Sequence, residues 1–168
     1  MNKKINMEVD LNGLKLKNPI TVASGTFGFG EEYSEFIDLN KLGAIAVKGL
    51  TLEPKKGNPP PRIHETPMGM LNSIGLENPG VKVFINEYIP YLRQFDTKII
   101  ANINGRNIDE YVQMAKILDK EDIDSIELNI SCPNVEDGGM AFGTNTKVVK
   151  NVVKKVRKAT DHHLIVKL

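Results

Sequence analysis

Apolar and polar positions change rhythm along this chain of 168 residues. Near the N-terminus Glu8-Val9-Asp10-Leu11 and Leu14-Lys15-Leu16-Lys17 alternate, with Asn12-Gly13 between them. Asn and Gly tolerate the positive φ of a type I′ turn, so the stretch predicts a β-hairpin. From residue 20 onward, short and nearly continuous apolar runs take over, and they predict strands at 20–23, 44–48, 98–103, 125–130 and 164–168. Between them, apolar residues recur at three- and four-residue spacing. That spacing predicts helices at 33–38, 78–94, 108–118 and 145–159, the third capped by Asn107. Residues 51–76 are rich in Pro and Gly and too long for an ordinary connection, so they read as a functional loop.

Alternating apolar strands and amphipathic helices imply an α/β fold whose parallel sheet is buried on both faces. An eight-stranded barrel and a doubly wound open sheet share that rhythm. The polar residues separate them. Ser24, Lys48, Asn102, Asn129 and Lys167 stand at or just beyond the carboxyl ends of successive predicted strands. A barrel brings all such ends to one mouth, whereas an open sheet gathers only a few at its switch point. The expected fold is therefore a TIM (β/α)8 barrel, with residues 1–168 forming a single domain. A whole barrel takes eight strands and about 250 residues. The chain thus reads as the first five strands plus an N-terminal β-hairpin, a truncated N-terminal portion.

Composition narrows the partners. Lys plus Arg is 22 and Asp plus Glu is 21, so no global field draws nucleic acid or acidic membranes. The single cysteine excludes an internal disulfide framework and fits a reducing compartment. Met1-Asn2-Lys3-Lys4-Ile5-Asn6 leads into no apolar segment of signal-peptide length, and no run approaches a membrane span. A cytoplasmic protein without membrane or nucleic-acid partners is expected. His64 and the pair His162-His163 lack zinc-ligand spacing, so no metal site is expected. Gly25-Thr26-Phe27-Gly28-Phe29-Gly30 matches neither the dinucleotide fingerprint nor the P-loop, and reads as a turn whose neighbours Ala23, Ser24 and Gly25 suit a flat cofactor.

The candidate chemistry centres on Ser131-Cys132-Pro133-Asn134, which follows the apolar run Ile126-Glu127-Leu128-Asn129-Ile130. A free thiol titrates near 8.5 and neighbours shift it readily, so Cys132 can exchange a proton close to neutrality. Asn129 and Asn134 flank it with amides that both donate and accept. A solitary cysteine is more often a small buried hydrophobe. The following proline, the loop Glu136-Asp137-Gly138-Gly139 and the strand-end position favour chemistry. Asn72-Ser73-Ile74-Gly75-Leu76 offers backbone amides beside a glycine, or simply a turn before a helix. Lys48 and Lys167 each end an apolar strand, where a lysine either snorkels to water or meets an electron-rich partner.

Taken in order, Ala23-Ser24-Gly25, Val47-Lys48-Gly49, Asn72 to Leu76, Ala101-Asn102-Ile103, Leu128 to Asn134 and Val166-Lys167 resemble the flavin-dependent dihydroorotate dehydrogenases. Asn58-Pro59-Pro60-Pro61-Arg62-Ile63-His64-Glu65-Thr66-Pro67 is similar to the NAD-linked class 1B catalytic subunit. The resemblance implies an FMN-containing barrel that oxidises dihydroorotate to orotate in pyrimidine (UMP) biosynthesis. It makes Cys132 the catalytic base and gives Lys48, Asn72, Ser73, Ile74, Gly75, Leu76, Asn129 and Asn134 to the substrate. Ser24, Lys48, Gly49, Asn102, Asn129 and Lys167 fall to the flavin, with Lys167 near its N1–C2 edge. It also implies a partner subunit carrying FAD and a [2Fe–2S] cluster, and paired catalytic subunits within a heterotetramer. A cluster usually takes four thiolates, which one cysteine cannot supply.

Two other readings stay open at this stage: a non-catalytic half-barrel that self-associates, and a related flavin barrel acting on another dihydropyrimidine. Barrels commonly bind phosphate after strands seven and eight. Residues 1–168 alone are therefore expected to be inactive and to hold FMN poorly or not at all. Stoichiometric flavin absorbance on this polypeptide after purification is the observation that would overturn that expectation.

Overall fold

A computed structural model describes residues 5–131 and 142–168. The N-terminal alternation forms the predicted hairpin, β1 (Val9–Leu11) and β2 (Leu14–Leu16), antiparallel with Val9 opposite Leu16. Asn12 and Gly13 both take positive φ (53° and 103°), and the Asp10 carboxylate accepts from the Gly13 amide at 2.6 Å. Leu14 and Leu16 are buried while Lys15 between them is exposed.

Five parallel strands make the central sheet: β3 (Thr21–Val22), β4 (Ala44–Ala46), β7 (Lys98–Ile103), β8 (Ser125–Asn129) and β9 (His163–Lys167). Each strand pairs with the next one of the sheet, in the order β3-β4-β7-β8-β9. A doubly wound sheet reverses its strand order at a switch point; here the order runs one way throughout, as in a barrel wall.

The sheet has an outer and an inner face, set by the two-residue repeat of side-chain direction. Ile45, Val47, Ile99, Ala101, Ile103, Ile126 and Leu128 form the outer core with the helices. Those helices are α4 (Ile108–Leu118) and α5 (Thr146–Arg157), together with a composite helix described below. Asn107 caps α4 by accepting from the Glu110 amide at 2.9 Å, and Asn145 caps α5 in the same way through Lys147 and Val148. On the inner face, Ala44, Ala46 and Ile100 pack under Leu14 and Leu16, with Ile165 against them. The hairpin thus floors the inner face at the amino ends of the strands. Burying each of those leucines contributes about 1.5–3 kcal/mol.

Several predicted elements differ in extent. The helix expected over 33–38 is instead a single turn, α1 (Glu31–Ser34). Phe27 stacks on Tyr33 with ring centroids 4.2 Å apart, and Asp38 leaves the helix to cap a 3-10 turn (Leu39–Lys41) through the Asn40 amide. The helix expected over 78–94 runs as α2 (Val81–Val83), a π turn (Phe84–Tyr88) and α3 (Ile89–Leu92). Pro90 has no N–H to give to the preceding turn, which accounts for the irregular winding. Within residues 51–76 a hairpin had escaped notice, β5 (Ile63–Thr66) with β6 (Gly69–Asn72). Both of its strands are exposed along their whole length. Among the described residues no helix is long and apolar enough to cross a membrane.

One half-buried carboxylate ties the sheet's amino-end rim to the helical layer. Asp124 accepts from Arg93 and Lys98 at 2.8 Å each and from the Ile99 amide at 2.9 Å. Burial is the largest single influence and raises its pKa, but the hydrogen bonds from Lys98, the Ile99 amide and Arg93 together outweigh it and hold the carboxyl below its ordinary value. A depressed folded-state pKa stabilises the fold above the unfolded value near 3.9, and that contribution is lost as pH falls through the folded pKa. Asp124→Asn should cost on the order of 2 kcal/mol at neutral pH. Urea unfolding of both proteins should show the difference beginning to shrink below about pH 4, where the unfolded carboxyl protonates, and disappearing as pH falls through the lower folded-state value.

Candidate active site at the carboxyl ends of the strands

Following the inner face toward the carboxyl ends, the floor of Ala44, Ala46, Ile100 and Ile165 gives way to polar side chains. By the same repeat these are Lys48, Asn102, Glu127 and Lys167. Asn102 lies opposite Glu127, and Asn129 opposite Lys167. The four polar residues come from four different chain segments, yet they share one layer.

The layer is internally bonded. Asn104 donates from Nδ2 to the Asn102 Oδ1 at 2.8 Å, and Asn102 in turn donates from its own Nδ2 to Glu127 Oε1. Lys167 Nζ stands 4.0 Å from that carboxylate oxygen. Asn102 is fully buried and Asn104 nearly so, and the Asn104 Oδ1 has no partner among the described residues. A buried carbonyl oxygen without a donor costs free energy unless something else supplies one.

Lys48 leaves β4 and donates its backbone N–H to the Gly28 carbonyl at 2.8 Å, which ties it to the turn after β3. Its ammonium is half-buried and makes no ion pair among the described residues. Beside it, Ala23 and Gly25 are exposed and Ser24 half-buried, and a Cβ placed on Gly25 would lie 3.9 Å from Lys48 Nζ. Small side chains beside a cation make a shelf for a flat, electron-rich ring. Gly49 is buried, and a Cβ there would collide with the Asn104 amide and sit 3.0 Å from Asn102 Oδ1 and 3.1 Å from Leu76 Cδ1. The glycine is needed for this close approach.

Asn72 and Ser73 end the exposed hairpin. Asn58 braces this loop, donating its side-chain amide to Ser73 Oγ at 2.8 Å and its backbone N–H to the Ile74 carbonyl at 3.0 Å. Gly75 and Leu76 both take positive φ (76° and 58°), and of this motif Leu76 is the residue that packs against Gly49. A leucine in the left-handed region is strained by about 1–3 kcal/mol and persists only when its surroundings hold it. Asn78 does so. Its Nδ2 donates to the Leu76 carbonyl at 2.9 Å while its Oδ1 accepts from Thr51 and from the Gly80 amide.

Asn129 is half-buried at the end of β8. Its Oδ1 accepts from the Ser131 amide and hydroxyl, and its carbonyl accepts from the Tyr111 hydroxyl at 2.6 Å. The candidate base Cys132 and its neighbour Asn134 lie outside the described residues.

Of the residues singled out from sequence, the fold gathers Lys48, Gly49, Leu76, Asn102, Asn129 and Lys167 near the strand ends, with Ser24 on the adjoining turn. Asn72 and Ser73 make their contacts with the hairpin and Asn58. Glu127, Asn104 and Asn78 were missed. For Glu127 the signal was a carboxylate between Ile126 and Leu128 in an otherwise apolar strand. A cleft of about 550 Å³ lined by Glu31, Glu32, Lys55, Glu77 and Tyr88 contains none of the singled-out residues.

Residues 6–168 match the family model described as dihydroorotate dehydrogenase. The chain belongs to the dihydroorotate dehydrogenase family. It is 58% identical over 164 residues to a protein of Thermoanaerobacter pseudethanolicus named dihydroorotate dehydrogenase B (NAD(+)), catalytic subunit. That match covers 98% of this chain and 54% of the relative. Proteins of the same name from Alkaliphilus oremlandii (59% over 163 residues) and Geotalea daltonii (51% over 166) cover 97% and 98% of this chain, and each is itself covered to 54%. The chain therefore spans about half the length of the curated relatives it matches. Membership of a TIM-barrel family agrees with the one-way order of the five parallel strands.

Gly49→Ala tests the close approach at the centre of this rim. Overpacking against the Asn102–Asn104 amides should cost about 1–3 kcal/mol. The measurement is the urea midpoint, against Gly13→Ala as a control where a Cβ meets nothing within 4 Å. The control carries only its own positive-φ strain, so loss of stability in the control alone would show that Gly49 is not closely packed.

Proposed function

We propose that this chain carries the first five strands of an FMN-dependent dihydroorotate dehydrogenase, which oxidises dihydroorotate to orotate. The observation that supports this reading best is the polar layer of Lys48, Asn102, Glu127 and Lys167 above an apolar floor, at the strand ends where barrel enzymes place their chemistry. The unsatisfied Asn104 oxygen and the shelf at Ala23-Ser24-Gly25 beside the Lys48 ammonium fit a planar, hydrogen-bonding cofactor.

In this reading, a bound flavin supplies the acceptor for the hydride that leaves C6 of dihydroorotate. Ser24, Lys48, Gly49, Asn102, Asn129 and Lys167 line that flavin. Lys167 would hold its ammonium beside the flavin, where a fixed cation would favour the reduced, negatively charged ring. Lys48 pairs with the substrate carboxylate. Asn72, Ser73, Ile74, Gly75 and Leu76, with Asn129 and Asn134, hold the ring through its carbonyl and N–H groups. Cys132 takes the C5 proton onto its sulfur, and the C–H electron pair left behind becomes the new C5–C6 π bond. A general base works best with a pKa near the working pH, which suits a thiol.

The electrons leave for NAD through a partner subunit carrying FAD and a [2Fe–2S] cluster, with catalytic subunits paired in a heterotetramer. The relatives' names, which specify NAD(+) and a catalytic subunit, support this route.

The test uses the complete barrel with its flavin. Under anaerobic conditions dihydroorotate should bleach the flavin, and Cys132→Ser should slow bleaching by about 10²-fold or more near neutral pH. The loss should narrow as pH rises and the poorer base begins to ionise. Bleaching at the wild-type rate in the serine variant would remove Cys132 from the mechanism. Faster bleaching by dihydrouracil than by dihydroorotate would replace the substrate.

A further inference from the structure

Glu127 is the one carboxylate of the polar layer, and nothing in the reading above requires it. Its side chain is 15% exposed and projects on the inner face between Asn102 and Lys167. One oxygen, Oε1, serves both neighbours: it accepts from the Asn102 amide and stands 4.0 Å from the Lys167 ammonium. That separation contrasts with the 2.8 Å between Lys98 of β7 and Asp124, the residue just before β8. At 2.8 Å a hydrogen bond is closed; at 4.0 Å it is not. The Lys167 ammonium is therefore attracted by Glu127 without being captured, and among the described residues no hydrogen bond occupies its N–H groups.

The amide chain adds a direction. Asn104 donates to Asn102, and Asn102 donates to Glu127. Because a carboxylate only accepts, it fixes which end of the Asn102 amide faces it, and so fixes Oδ1 toward Asn104. An amide that could otherwise flip is held in one orientation by a charge.

We propose that Glu127 is a positioning residue for the flavin site: it orients the Asn102 amide and partly offsets the charge that Lys167 presents to the bound ring. This inference rests on the flavin reading above. A fixed negative charge beside the ammonium weakens its hold on a reduced, negatively charged ring more than on the oxidised, neutral one. Glu127 accordingly keeps the bound flavin's potential lower than Lys167 alone would set it, and so makes reduced flavin a stronger donor to the next carrier.

The experiment is a spectroscopic redox titration of the FMN-loaded complete barrel. Glu127→Gln keeps an oxygen that can accept from Asn102 but removes the charge. It should make the midpoint potential more positive; each tenfold gain in the preference for reduced over oxidised flavin moves a two-electron couple by about 30 mV. In a Lys167→Met background the same substitution should move the potential by less, since the part of its effect exerted through the position of the ammonium is gone. Should the glutamine variant fail to fold, Glu127→Asp withdraws the charge by one methylene and is expected to shift the potential in the same direction by less. A potential unmoved or made more negative by the variant that folds, or a shift undiminished without Lys167, overturns the inference while leaving the dehydrogenase reading intact. A barrel that takes up no flavin overturns both.

Discussion

Asn102 and Asn104 are buried on the inner side of the sheet, where a polar side chain has to find its partner in the protein or in a ligand. This constraint organises the molecule. At the amino ends it is met mostly by apolar side chains, Ala44, Ala46, Ile100 and Ile165 meeting Leu14 and Leu16 from the hairpin, while the buried Ser125 hydroxyl donates to the His163 carbonyl at 3.0 Å. At the carboxyl ends it is met by a connected set, Asn104 to Asn102 to Glu127, with Lys167 alongside. Among the described residues the set leaves the Asn104 oxygen without a donor, and the Lys48 ammonium makes no ion pair.

Rigidity around this rim comes from outside the sheet. Tyr111 on α4 holds the carbonyl of Asn129 as β8 ends, just before the segment that carries Cys132. Asn78 spends both ends of its amide on Leu76, Thr51 and Gly80, which pins a leucine in a backbone conformation it would otherwise avoid. Neither residue belongs to the polar layer, and each fixes a neighbour that does touch or adjoin it. Groups aligned within tenths of an ångström need such support.

Much of this was legible in the residues. The strand at Lys98–Ile103 and the helix at Ile108–Leu118 appear with the boundaries predicted, because a six-residue strand run and a capped amphipathic stripe are strong local signals. The first turn was also readable, since Asn12-Gly13 states its own backbone geometry. Other elements were not. The hairpin at Ile63–Thr66 and Gly69–Asn72 is exposed on all sides, so burial imposes no alternation on its sequence. The helix near residue 31 ends early because the Phe27–Tyr33 stack and the Asp38 cap are decided in three dimensions. Strand-end placement identified Lys48, Asn102, Asn129 and Lys167, yet passed over Glu127 because its neighbours made the strand look uniformly apolar. A residue whose role is to hold two others becomes visible only once those two are placed.

The leucine floor has a consequence for traffic. With Leu14 and Leu16 packed against Ala44, Ala46 and Ile100, the described residues cover the amino ends of these strands, so a small molecule moving along the inner face meets the polar rim from the carboxyl ends.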